Sequence, residues 1–147
     1  MGRSCCILVL FVSEGCGSRS GPPIDIVVPN GFKGSIWVVL DPSGQDLPLL
    51  EGRYQVMIPA NGVLRLRSFE PFEQWHQSSA RYADGSVLPK DSGATSVGPE
   101  VVALRGGGEA VTSINGEEVR WLPYFVGTEE EHDQTLKGMN FPPGAGR

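Results

Sequence analysis

Apolar and polar positions alternate with a period of two along most of the chain. Ile24, Ile26 and Val28 alternate with Asp25 and Val27, and Ile36, Val38 and Leu40 alternate with Trp37 and Val39. Successive side chains of a strand point to opposite faces, so each run offers one fully apolar face. β-branched residues dominate both runs and fit a pleated surface better than a helix. Between them stands Pro29-Asn30-Gly31. Proline cannot continue the ladder, and Asn and Gly accept the positive φ of a tight reversal. Residues 24–40 therefore predict a β-hairpin.

The same device recurs. Residues 53–58 set Tyr54, Val56 and Ile58 against Arg53, Gln55 and Met57; Pro59-Ala60-Asn61-Gly62 follows; residues 63–68 set Leu64 and Leu66 against Arg65 and Arg67. This predicts a second hairpin. Asp41-Pro42-Ser43-Gly44 predicts a β-turn and residues 45–52 a loop. Residues 69–88 carry aromatic bulk without a clean period, which predicts an irregular excursion with one helical turn near residues 72–77. Residues 89–99 are polar and read as a surface loop.

Residues 100–105 predict a fifth strand, and Gly106-Gly107-Gly108 a hairpin turn into residues 110–114. Asn115-Gly116 predicts a further hairpin, returning over residues 117–126. Pro123 makes that last strand either bent or an edge. Thr128 and Glu131 have the spacing of a capping box, which predicts a helix over residues 129–137 closed by Lys137 and Gly138. Residues 138–147, with Pro142-Pro143-Gly144, read as a disordered tail. Together these elements predict an all-β domain over residues 24–137: a β-sandwich of about seven short antiparallel strands with one short C-terminal helix.

Composition adds bounds. A chain of 147 residues supports one domain with a sizeable core. The net charge of −5 argues against a nucleic-acid partner, because phosphate binding needs a basic face. All three cysteines, Cys5, Cys6 and Cys16, precede Gly17. The domain that follows has neither a disulfide framework nor a thiol nucleophile.

Arg3, the apolar residues 5–12 and the small residues before Cys16 stand in the order of a secretory signal. A cysteine after a small residue at the end of such a run resembles a bacterial lipoprotein signal. That resemblance implies a signal over residues 1–15, lipidation of Cys16, a flexible tether over residues 16–23 and a membrane as partner. The same order also suits an ordinary or uncleaved secretory signal.

Three motifs resemble a bacterial domain of unknown function found on small secreted proteins and lipoproteins. They are Val28-Pro29-Asn30-Gly31-Phe32-Lys33-Gly34, Tyr54-Gln55-Val56-Met57-Ile58-Pro59 and Phe125-Val126-Gly127-Thr128-Glu129-Glu130-Glu131. The resemblance implies an envelope location and a compact β domain, and names no catalytic residue.

Candidate chemistry is sparse. Trp75, His76 and Tyr82 lie in the irregular excursion, where binding residues concentrate, and are the candidate ligand-binding residues. Trp37 and Trp121 could join Trp75 in a stacking platform, though tryptophan is more often packing. Glu70, Glu73 and His76 could form the acid–base site of a small hydrolase. The acidic residues around His132 read as a solvated helix face rather than a metal site, and no cofactor motif is present. The leading expectation is a non-catalytic β domain tethered to the envelope, with a structural or binding role.

Overall fold

The computed structural model describes residues 20–92, 95–138 and 142–144. Among them the chain forms β1 (Ile24–Val28), β2 (Gly34–Gln45), β3 (Leu49–Leu50), β4 (Arg53–Met57), β5 (Val63–Leu66), the one-turn helix α1 (Glu70–Glu73), β6 (Ser78–Tyr82), β7 (Ala103–Gly106), β8 (Ala110–Ile114), β9 (Glu117–Gly127) and α2 (Glu129–Gly138). The fold is all-β with one short C-terminal helix, as the alternation predicts. Its strands lie in two mixed sheets. One has the order β3-β4-β1-β6; the other runs β5-β2-β9-β7, with β8 also paired to β9. The strands expected from the sequence are all present, and β3 and β6 are additional.

Strand pairing corrects the first two hairpins and the antiparallel expectation. β1 lies parallel to both β4 and β6, while β2 lies parallel to β5 and antiparallel to β9. Residues 24–40 thus form an arch that carries the chain from one sheet to the other. β4 and β5 make a second arch of the same kind. The two arches stack, with Ile26 beside Val56 and Val38 beside Leu64. Each turns on a proline carbonyl: Phe32 N–H donates to Pro29 O at 3.0 Å, and Gly62 N–H to Pro59 O at 2.9 Å. Ile58 N–H to Val27 O and Trp37 N–H to Gly62 O stitch one arch to the other. The physical reason lies in β1, which is buried along its whole length. A strand apolar on nearly every position belongs in the middle of a sheet, with parallel partners on both edges.

Ile24, Ile26, Val28 and Val56 of the first sheet share one core cluster with Ile36, Val38, Leu66, Leu104, Leu122 and Val126 of the second. Burying such a side chain stabilises by roughly 1.5–3 kcal/mol, so this common layer is what joins the sheets. On the other face of β1, Asp25 is buried and accepts from Ser79 Oγ at 3.2 Å and Arg81 Nε at 2.8 Å. That pair gives the polar strand β6 its place beside β1.

Several smaller expectations also change. Gly106-Gly107-Gly108 is not a hairpin turn. β7 and β8 both pair antiparallel with β9, one after the other, and the glycines form the bulge between them, all at positive φ. Pro123 is not at an edge, for β9 has β2 on one side and β7 and β8 on the other. Gly107 N–H donates to Pro123 O at 2.7 Å, so the polar edge of residue 123 faces the bulge. The missing proline N–H therefore leaves the β2·β9 ladder intact. Asp41-Pro42-Ser43-Gly44 is a bulge within β2, since Leu40 and Gln45 both register with Leu66. The helical turn sits at Glu70–Glu73 rather than over residues 72–77.

Two local features follow the sequence pattern closely. Asn115 and Gly116, at φ 52° and 81°, close the β8–β9 hairpin. Thr128 N–H donates to Glu131 Oε2 at 2.8 Å and Glu131 N–H to Thr128 Oγ1 at 3.3 Å, which completes the capping box of α2.

The signal expected over residues 1–15 and the lipidation of Cys16 lie outside the described residues. So does the tether as far as residue 19. From Gly21 the chain is bonded to the fold, for Gly21 N–H donates to Trp75 O and Pro23 O accepts from Tyr54 N–H. Of the expected tail, residues 139–141 and 145–147 lie outside the description. Pro142 is buried, and Pro143 O accepts from Arg65 at 3.2 Å.

Candidate functional site

The α1–β6 segment, the loop after β6 and the glycine bulge meet around a cleft of about 350 Å³. Phe69, Phe72, Tyr124 and the three glycines line it, and Glu73, His76, Ser78, Lys90 and Glu109 supply the polar groups. β6 brings Ser78 there as the first residue of its strand. A bridge between Lys90 and Leu104 brings in Lys90 from a loop that the sequence marks only as polar.

His76 Nδ1 lies 2.7 Å from Gln74 O. A carbonyl only accepts, so Nδ1 carries the proton in the neutral ring and Nε2 keeps its lone pair. The ring stands edge-on to Phe72 at 6.1 Å. Lys90 Nζ donates to Ser78 Oγ, and burial pushes the ammonium below its ordinary pKa. No carboxylate among the described residues pairs with it. The acids of the cleft are taken by Arg120, which holds Glu109 at 2.6 and 2.8 Å and Glu73 at 3.6 Å. Hydrogen bonding from Arg120 keeps the Glu109 carboxyl below its ordinary value. Burial pushes the Tyr124 phenol up to about 12, so it remains a neutral donor.

The residues singled out from the sequence separate. Glu73 and His76 line the cleft, whereas Glu70 and Trp75 are not among its lining residues. Ser78 registers with Ile24 and Tyr82 with Val28, so these two stand at opposite ends of β6, roughly 13 Å apart at a strand rise of about 3.3 Å per residue, and His76 lies before the Ser78 end. Tyr82 packs on the core. The tryptophans form no platform. Trp121 is buried and Trp37 half-buried in the second sheet, while Trp75, at the edge of the first, is 70 % exposed. His132 stacks on Phe125 at 5.4 Å, and burial holds its pKa below the ordinary value. Among the described residues no group of three His, Cys, Asp or Glu side chains converges as a metal site would need. Sequence reasoning missed Ser78 and Lys90, whose pairing depends on contacts between segments.

A second surface lies where the chain joins the fold. β4 and β6 run parallel to β1, so all three strands begin at one end of their sheet. β3 runs antiparallel to β4 and finishes there. Leu49, Tyr54, Ile24 and Ser78 stand level across the sheet. Leu49 and Leu50, each 51 % exposed, flank the joining segment on one side, and Trp75 flanks it on the other.

No protein-family model matches the chain, and no curated protein matches it. Among solved structures the chain is similar to a 2.75 Å crystal structure of a "Putative Lipoprotein from Bacillus anthracis". The identity is 16 %, the match covers 86 % of this chain and 84 % of the other, and the TM-score is 0.48. No described helix is long and apolar enough to cross a membrane.

Proposed function

We propose that the protein is a non-catalytic binding domain held at the cell envelope by a lipid on Cys16. The location rests on the order of the N-terminal sequence: a basic start, the apolar residues 5–12, and Cys16 as the last cysteine of the chain. The observation that carries the binding role is Lys90. Its half-buried ammonium has a serine hydroxyl as partner and no carboxylate among the described residues, while both acids of the same cleft turn to Arg120 instead. A buried charge without a counter-charge is costly, and an anionic ligand group would relieve that cost. Phe72 and Tyr124 offer apolar surface beside it. The ligand class that fits is a small carboxylate with an apolar or planar body. A hydrolytic role for Glu70, Glu73 and His76 finds less support, because Glu70 stands apart and Glu73 is committed to Arg120.

Titration of the isotope-labelled protein with N-acetylphenylalanine, followed in amide spectra, tests the binding role. The resonances of Ser78, Lys90 and Gly107 should move saturably, and the neutral amide of the same compound should leave them in place. Lys90→Met should weaken the binding at least about tenfold, ~1.4 kcal/mol. Equal shifts from the carboxylate and the amide, or no loss in Lys90→Met, would refute it.

A further inference from the structure

We infer that the end of the first sheet carrying Leu49, Leu50 and Trp75 rests on the surface of the membrane, with a lipid bilayer as its occupant. This rests on the lipid anchor proposed above and adds an orientation to it.

Chain length supplies the first argument. Gly21 is bonded through its N–H to Trp75 O at 2.8 Å, which fixes where the fold begins. Cys16 precedes it by five residues. Fully extended, that segment spans at most about 18 Å. An acylated Cys16 sits at the boundary of the hydrocarbon, so Gly21 cannot leave the neighbourhood of the headgroups.

Topology supplies the second. The chain joins β1, which lies inside its sheet with β3 and β4 on one side and β6 on the other. At the same end, the edge strand β3 presents Leu49 and Leu50, and the segment before β6 presents Trp75. Sheet spacing puts these edges roughly 14 Å apart, with the tether between them. Three large apolar side chains, each half exposed or more, therefore surround the one point that the lipid holds down. The arches at Pro29 and Pro59 occupy the opposite end of β1 and β4, away from the membrane.

Chemistry identifies the contact. Tryptophan favours the headgroup layer, where its ring is sheltered and its N–H stays wet. The chain carries a charge of −5, and Glu51 lies exposed in the β3–β4 turn, so attraction to anionic lipid is not the driving force. Apolar contact is, and it is insensitive to salt. Three side chains alone would bind a bilayer weakly. The acyl anchor turns their insertion into an intramolecular event at high effective concentration.

Fluorescence of the full acylated protein, reconstituted in phosphatidylcholine vesicles, tests this. Phospholipids brominated high on their acyl chains should quench at least half of the Trp75 emission, equally at low and high salt. Trp75→Phe, an exposed substitution that leaves the fold intact, should remove that quenching, since Trp37 and Trp121 belong to the other sheet. Leu49→Ser combined with Leu50→Ser should reduce it. Mass analysis of the same sample reports acylation of Cys16. Acylated protein whose Trp75 is unquenched would overturn the orientation and leave the anchor standing, pointing to a protein partner or water at this rim. Protein without acyl chains on Cys16 would overturn both.

Discussion

Arg105, 3 % exposed, holds the carboxylate of Asp91 at 2.5 Å and so ties the loop after β6 to β7. The same guanidinium donates to Gly98 O at 3.2 Å, Val101 O at 2.9 Å and Gly127 O at 3.1 Å. Four acceptors, three from the loop between β6 and β7 and one from the end of β9, thus converge on one cation. Removing the guanidinium leaves Asp91, which is partly exposed, to water, but strands the carbonyls around it, and each buried acceptor left unsatisfied costs about 1–3 kcal/mol. Arg105→Met should therefore destabilise by about 3 kcal/mol or more in urea denaturation. A loss below about 1 kcal/mol would show that the carbonyls find other donors.

The stacked arches make a contrast between two glycines. Gly31 and Gly62 both hold positive φ, at 70° and 75°. A Cβ on Gly31 meets nothing within 4 Å, whereas one on Gly62 comes within 2.5 Å of Ser35 O. Gly31→Ala should cost about 1 kcal/mol, from backbone conformation alone. Gly62→Ala should cost more than about 2 kcal/mol, because the backbone of the neighbouring arch must also move. Equal costs in thermal denaturation would contradict the stacking.

Local features are legible in the sequence and distant partnerships are not. The alternation at Ile24–Val28 and the Asn115-Gly116 turn depend on a few adjacent residues, and both appear where the sequence places them. Choice of partner is another matter. Nothing between Pro29 and Lys33 distinguishes a hairpin from an arch; the difference lies in β4 and β6, which occupy both edges of β1. The recurrence of Pro and Asn-Gly after strands at residues 29–31 and 59–62 is the usable signal, since two copies of one strand–arch–strand unit stack in parallel. β6 escapes the pattern because Ser78-Ser79-Ala80-Arg81 has little apolar character. It becomes a strand through the Asp25–Arg81 pair. The cleft is half legible. His76 belongs to it, but Lys90 and Ser78 meet only after the loop has folded back on β7.

The cap of α2 links stability to pH. Thr128→Ala should lose about 1 kcal/mol and fray the first turn, read by helical circular dichroism and the denaturation midpoint. The Thr128 N–H bond holds the Glu131 carboxyl below its ordinary 4.5, with Lys33 adding to the effect. A depressed carboxyl contributes stability that is complete above its unfolded value and lost as pH falls through the folded one. Asp41 and Asp84 are held below 3.8 in the same sense, by the hydroxyl and backbone N–H of Ser43 and of Ser86 respectively. Stability should therefore fall on acidification below about pH 4.5, and a Glu131→Gln protein, with no carboxyl at the cap to titrate, should lose less of it than the wild type. Identical acid profiles for the two proteins would contradict the role given to the cap.

The proposed anchoring of this domain to a membrane through Cys16 is read in the mass of the N-terminal peptide of the mature protein. More than one acyl chain is needed for a stable anchor, at about 0.8 kcal/mol per buried methylene. A peptide that begins at Cys16 and carries the added mass of acyl chains is the expected result, with both the acyl mass and the membrane association lost in Cys16→Ser. A mature chain that begins elsewhere, or an unmodified Cys16 in protein that still fractionates with membranes, would contradict it.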